Sequence, residues 1–144
     1  LLLLDLNGDG EQDWVVSNRD SDNLITRLGA GDGTFGEAVT YATGDAPHYM
    51  ALIDFDKDGR QDVVVPNINS DNVSVFRNQG DGTLVLHATL AAGDGPLSAA
   101  TGDFNGDGNP DFAVTNHNTG ANGRRLSVFL GDGLGAFSHS FVGD

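Results

Sequence analysis

Three nine-residue stretches of the chain carry oxygen donors at one fixed spacing. They are Asp5-Leu6-Asn7-Gly8-Asp9-Gly10-Glu11-Gln12-Asp13, Asp54-Phe55-Asp56-Lys57-Asp58-Gly59-Arg60-Gln61-Asp62 and Asp103-Phe104-Asn105-Gly106-Asp107-Gly108-Asn109-Pro110-Asp111. In every copy positions 1, 3 and 5 are Asp or Asn, position 6 is Gly and position 9 is Asp. Oxygens at positions 1, 3 and 5 of a tightly curved loop point to one centre, and glycine at position 6 permits the sharp turn. Position 7 (Glu11, Arg60, Asn109) then offers its backbone carbonyl, and position 9 (Asp13, Asp62, Asp111) closes the cage. An all-oxygen set of this kind suits Ca²⁺. Zinc and copper favour nitrogen or sulfur donors, and Mg²⁺ keeps several waters in a stricter octahedron. The spacing predicts three Ca²⁺ sites.

These are not EF-hands. The twelfth position, where an EF-hand needs a bidentate glutamate, is Val16, Val65 and Val114. The loops hold three, four and three ligand carboxylates, with Asn7 and Asn105 as neutral members. Like charges grouped so closely oppose folding unless a cation joins them. Three Ca²⁺ would bring the formal charge from −14 to about −8. The plain alternative, solvated acidic turns, explains neither the glycine nor the recurrence.

The loops recur with a period of 49 residues, and the agreement extends past them. Each is followed by an apolar run ending in Asn: Trp14-Val15-Val16-Ser17-Asn18, Val63-Val64-Val65-Pro66-Asn67 and Phe112-Ala113-Val114-Thr115-Asn116. A polar turn and an alternating segment come next, clearest in Val73-Ser74-Val75-Phe76 and Leu126-Ser127-Val128-Phe129. Alternation of period two marks a strand with one buried face. A Gly-Asp-Gly turn leads to a last segment such as Thr34–Tyr41. The chain is therefore predicted to be all-β, with about four short antiparallel strands per repeat, the size of a β-propeller blade. A β-sandwich is the alternative, but it does not demand a fixed period. The repeats are drawn as 1–49, 50–98 and 99–144, with the third copy carrying a longer turn at Asn118–Arg125. Three blades do not easily close a ring, so further blades in cis or oligomer partners are expected to complete it or extend it as a filament.

Composition excludes several classes. With 21 acidic residues against 7 Lys plus Arg, the surface repels nucleic acid and anionic membranes. The absence of cysteine removes disulfides and thiolate chemistry. No apolar stretch approaches ~20 residues, so no membrane insertion is expected, and Leu1–Leu4 reads as a strand entering the first loop.

The third loop with its following Phe112–Asn116, together with Gly31-Asp32-Gly33-Thr34-Phe35 and Gly44-Asp45-Ala46-Pro47, resembles the FG-GAP/VCBS repeats of integrin α-subunit-type propellers. The resemblance covers nearly the whole chain. Phe35-Gly36 preserves the "FG", whereas Leu84-Val85 and Phe137-Ser138 depart from it. What the resemblance implies is a propeller with Ca²⁺ in a hairpin loop between the first two strands of each blade. It also implies a secreted or cell-surface setting. The family includes adhesion proteins, lectins and non-catalytic parts of polysaccharide-degrading enzymes, so function does not follow from fold.

Two functional classes stay open. One is a Ca²⁺-stabilised adhesion or recognition module taking a protein or carbohydrate ligand. The other is an accessory or catalytic propeller, a lyase or hydrolase, of a polysaccharide-acting enzyme. Catalysis needs paired carboxylates free of other duty, and the spare ones, Glu37 and Asp45, are isolated. His48, His87, His117 and His139 do not recur at equivalent positions and are expected in exposed loops. No catalytic residue is therefore assigned. Trp14 is replaced by Val63 and Phe112 in the other copies, which favours a core role over a sugar platform, and Tyr41 and Tyr49 are weaker platforms. Arg124-Arg125 is the one adjacent basic pair, and Asn72-Val73-Ser74 fits a glycosylation sequon.

Overall fold

The structure is a computed structural model and describes residues 1–117 and 125–142. Most of the long third-copy turn, including Arg124, lies outside the described residues. Among the described residues there are twelve strands: β1 (Leu2–Leu4), β2 (Asp13–Asn18), β3 (Asn23–Arg27), β4 (Val39–Ala42), β5 (Ala51–Ile53), β6 (Asp62–Asn67), β7 (Asn72–Asn78), β8 (Leu84–Ala91), β9 (Pro96–Gly102), β10 (Asp111–Asn116), β11 (Leu126–Gly131) and β12 (Phe137–Val142). They pair in chain order into three four-stranded antiparallel sheets, β1–β4, β5–β8 and β9–β12. The predicted strand number per repeat holds, and each Asp loop joins the first two strands of its sheet.

The sheets stack face to face in sequence order. Leu4, Leu6, Val15 and Leu24 of the first sheet pack with Val63, Val65, Phe76 and Leu84 of the second. Ile53, Phe55, Val64, Val73 and Val75 on the other face of the second sheet pack with Phe112, Val114 and Phe129 of the third. Strand β6 explains its own composition. It has a sheet on each face, every one of its residues is buried, and so it reads as a continuous Val run instead of an alternation. In β2, which is covered on one face, buried Asp13 and Val15 alternate with half-buried Trp14 and Val16.

Trp14 is not in the core. It lies half-buried on the outward face of the first sheet, edge-on to Phe35 with ring centroids 5.8 Å apart. Its equivalents Val63 and Phe112 are buried because each faces a preceding sheet. Of the four histidines, His48 and His117 lie outside the strands as expected, whereas His87 and His139 lie in strands. His87 sits where β8 bulges against β7, 2.8 Å from the Gly135 carbonyl and beside Phe55, so it ties the second sheet to the third. His139 stacks on Phe129 with centroids 4.3 Å apart.

The link between sheets is built by one aspartate per turn. Asp22 and Asp71 close the β2–β3 and β6–β7 turns in the left-handed region, at φ 52° and 50°. Their Oδ1 atoms accept the N–H groups of Ala46 and Gly95, each 2.8 Å away. The Gly44–Pro47 segment is thereby pinned to the preceding sheet as the chain crosses to the next.

Candidate metal centre

Each Asp loop is organised by its first aspartate. Asp5 accepts the N–H groups of Asn7, Gly8 and Gly10, Asp54 those of Asp58 and Gly59, and Asp103 those of Gly106 and Gly108. The Gly10 N–H, followed by the other loop amides, holds the Asp5 carboxyl below its ordinary value against a desolvation that raises it. Position 5 receives the position-7 N–H in every copy, at 2.8–2.9 Å (Glu11 to Asp9, Arg60 to Asp58, Asn109 to Asp107). Gly10, Gly59 and Gly108 stand at φ 87°, 88° and 80°, so the sharp turn predicted at position 6 forms in all three loops.

The middle loop brings its carboxylates together. One oxygen from each of Asp54, Asp56 and Asp58 lies within 4.8 Å of the others, and this is the one such tri-aspartate cluster among the described residues. Oδ1 of Asp56 is buried without a hydrogen-bond partner. An all-oxygen cluster with an unsatisfied carboxylate oxygen fits a hard cation such as Ca²⁺. Of the three predicted sites, the middle one alone shows such a cluster of three carboxylates among the described residues. In the outer loops position 3 is an amide, and the Nδ2 of Asn7 and of Asn105 donates to Asp9 and Asp107 at 2.8 and 2.9 Å. An amide presents one oxygen and one donor group, so it satisfies its neighbour without a cation.

Position 9 stands apart from the cluster. Asp13, Asp62 and Asp111 are fully buried. One oxygen of each accepts the N–H of position 2 (Leu6, Phe55, Phe104) at 2.7–3.2 Å. The other accepts the N–H of Gly29, Asn78 or Gly131, at or just past the end of the third strand, at 2.8 Å. This carboxylate clips the loop to the sheet, whatever else it does. Burial pushes Asp62 up to about 6, the Asn78 and Phe55 N–H groups oppose that, and the charges of Asp56 and Asp58 add to it.

Position 7 presents Glu11, Arg60 and Asn109 near the turn that precedes the fourth strand, and a Cβ on Gly31, Gly80 or Gly133 would collide with these side chains. The residue the spacing did not single out is Arg77. Its Nη2 lies 2.7 Å from Asp56 and 3.2 Å from Asp58, and Arg60 pairs with the same Asp58 oxygen. Its one sequence signal is a charged residue in a strand whose copies carry Leu28 and Leu130. Desolvation raises Asp58, but the Arg60 N–H and the two guanidinium groups outweigh it and leave the carboxyl below its ordinary value.

The profile of the FG-GAP-like repeat matches residues 5–65 and again residues 54–114. The chain belongs to the FG-GAP-like repeat family. Each FG-GAP-like match opens on the first aspartate of a loop and runs through the loop of the following sheet, so the repeat spans a sheet junction. No curated protein matches the chain in sequence. Among solved structures, an Agrocybe aegerita lectin, described for specific recognition of non-reducing terminal N-acetylglucosamine, superposes with a TM-score of 0.64. It is 21% identical, and the match covers 99% of this chain and 38% of that one. The FG-GAP-like chain thus spans well under half of that structure, and the likeness is one of fold.

Proposed function

We propose that this chain is a run of blades of an extracellular Ca²⁺-binding β-propeller, serving as a scaffold that recognises a protein or carbohydrate ligand. The observation that carries the reading is the same Asp loop, with the same backbone hydrogen bonds, at the first hairpin of three stacked sheets. In this reading Asp5, Asn7, Asp9 and Asp13, with the Glu11 carbonyl, hold one ion. Asp54, Asp56, Asp58 and Asp62 with the Arg60 carbonyl hold a second, and Asp103, Asn105, Asp107 and Asp111 with the Asn109 carbonyl hold a third. When bound, the ion would neutralise the carboxylates and cross-link the loop.

The repeats 1–49, 50–98 and 99–144 correspond to one blade each, the third blade opening with β9 at Pro96, and the outward faces of the first and third sheets pack on further sheets of the same kind. Exposed Leu3, Phe35 and Phe104 on those faces support this. The lectin similarity, being one of fold, supports a binding role and makes carbohydrate the ligand class to screen first. The decisive experiment is thermal unfolding of the 144-residue chain with Ca²⁺ and with chelator. Binding to the folded state raises the melting temperature with ion concentration. An unchanged Tm would sink the calcium reading, and glycan-array and protein-array binding tests the recognition role separately.

A further inference from the structure

Resting on the calcium reading above, we infer that Arg77 and Arg60 neutralise the middle loop from within, so that it binds Ca²⁺ at least tenfold more weakly than the outer loops and keeps its shape without the ion. The middle loop carries the most carboxylates, which by charge alone makes it the tightest site. The geometry reverses that order. The Arg77 guanidinium spans Asp56 and Asp58, 2.7 and 3.2 Å away, and Arg60 adds a second positive group on Asp58. Arg60 is held there by its Nε, which donates to the Asn78 carbonyl at 3.1 Å, and by the lack of a side chain on Gly80. The convergence of three carboxylates here thus has its counter-charge already in place. A dication entering the cluster meets two unit positive charges a few ångströms off and must displace them.

Among the described residues no arginine pairs with a carboxylate of the outer loops, where the contact on Asp9 and Asp107 is a neutral amide. Leu28 and Leu130 stand where Arg77 does, and Glu11 and Asn109 where Arg60 does. Lys57 of the middle loop reaches the Gly108 carbonyl and Asn109 Oδ1, at the rim of the third loop, and its charge adds only the last of the influences on Asp107. Both arginines keep about two-fifths of their side-chain surface exposed (42% and 38%), so they can swing into solvent when calcium is high. The middle loop then fills last.

The test is a CaCl₂ titration of the ¹⁵N-labelled chain, following the amide resonances of Gly10, Gly59 and Gly108. Each of these N–H groups donates to the first aspartate of its own loop, so each reports one site. Gly59 is expected to move at a Ca²⁺ concentration at least tenfold above that for Gly10 and Gly108. Arg77→Leu, which installs the residue of the other copies, is expected to bring Gly59 within about threefold of them. Should that variant fail to fold, Arg60→Glu provides the same readout by the second competitor. Gly59 moving with or before the outer glycines in the unaltered chain overturns the inference and leaves the calcium reading intact. Saturation of none of the three overturns both.

Discussion

Asp62 accepts from Phe55 and Asn78, whose N–H groups belong to different parts of the sheet, and it is fully buried. Asparagine has the same shape but only one acceptor oxygen, so one buried N–H would face an amide N–H₂. Asp62→Asn is expected to lower stability by about 1–3 kcal/mol in urea unfolding. The sign of its pH dependence follows from its raised value of about 6 against 3.8. The folded chain binds the proton more tightly than the unfolded one, so the contribution of Asp62 is full below 3.8 and is lost as pH rises through about 6. In chelator, the gap between the unaltered chain and Asp62→Asn should therefore narrow from pH 4 to pH 7. Calcium would reverse the trend by favouring the charged carboxylate. The spacing alone placed this aspartate correctly at the loop end, but nothing in it distinguished a ligand from a clip, because both roles ask for a carboxylate in the same place.

Among the elements, the loops show how far a backbone demand can be read through different residues. Position 4 lies in the left-handed region in all three, as Gly8 and Gly106 at φ 79° and 76° and as Lys57 at φ 59°. A Cβ at Gly106 would meet nothing within 4 Å, so only the backbone opposes one. Gly106→Ala is expected to cost about 1 kcal/mol, measurable as a lower urea midpoint without a change in slope. Strand β6 is the complementary case. Its unbroken Val run is ambiguous by periodicity, and its burial on both faces follows from the sheets stacked on either side.

For the molecule as a whole, burial at equivalent positions depends on whether another sheet follows. Leu6 and Phe55 at loop position 2 are 0% and 1% exposed, while Phe104 is 50% exposed on the last sheet. Phe55→Ala is expected to cost about 3–5 kcal/mol and Phe104→Ala less than about 1 kcal/mol in this chain, by equilibrium unfolding. If a sheet of a second chain covers Phe104, its replacement should instead weaken assembly, seen as a lower sedimentation mass.

By itself the sequence determined the repeat, its strand content, the loop trace and the family, since each is a local pattern of donors, glycines and alternation carried three times. Only the tertiary structure decided that Asp13, Asp62 and Asp111 are buried clips, that Trp14 lies on an outward face, and that Arg77 reaches the middle loop from a neighbouring strand. Those three facts depend on which surfaces meet across a sheet junction or a strand pair. Spacing along the chain does not encode that contact.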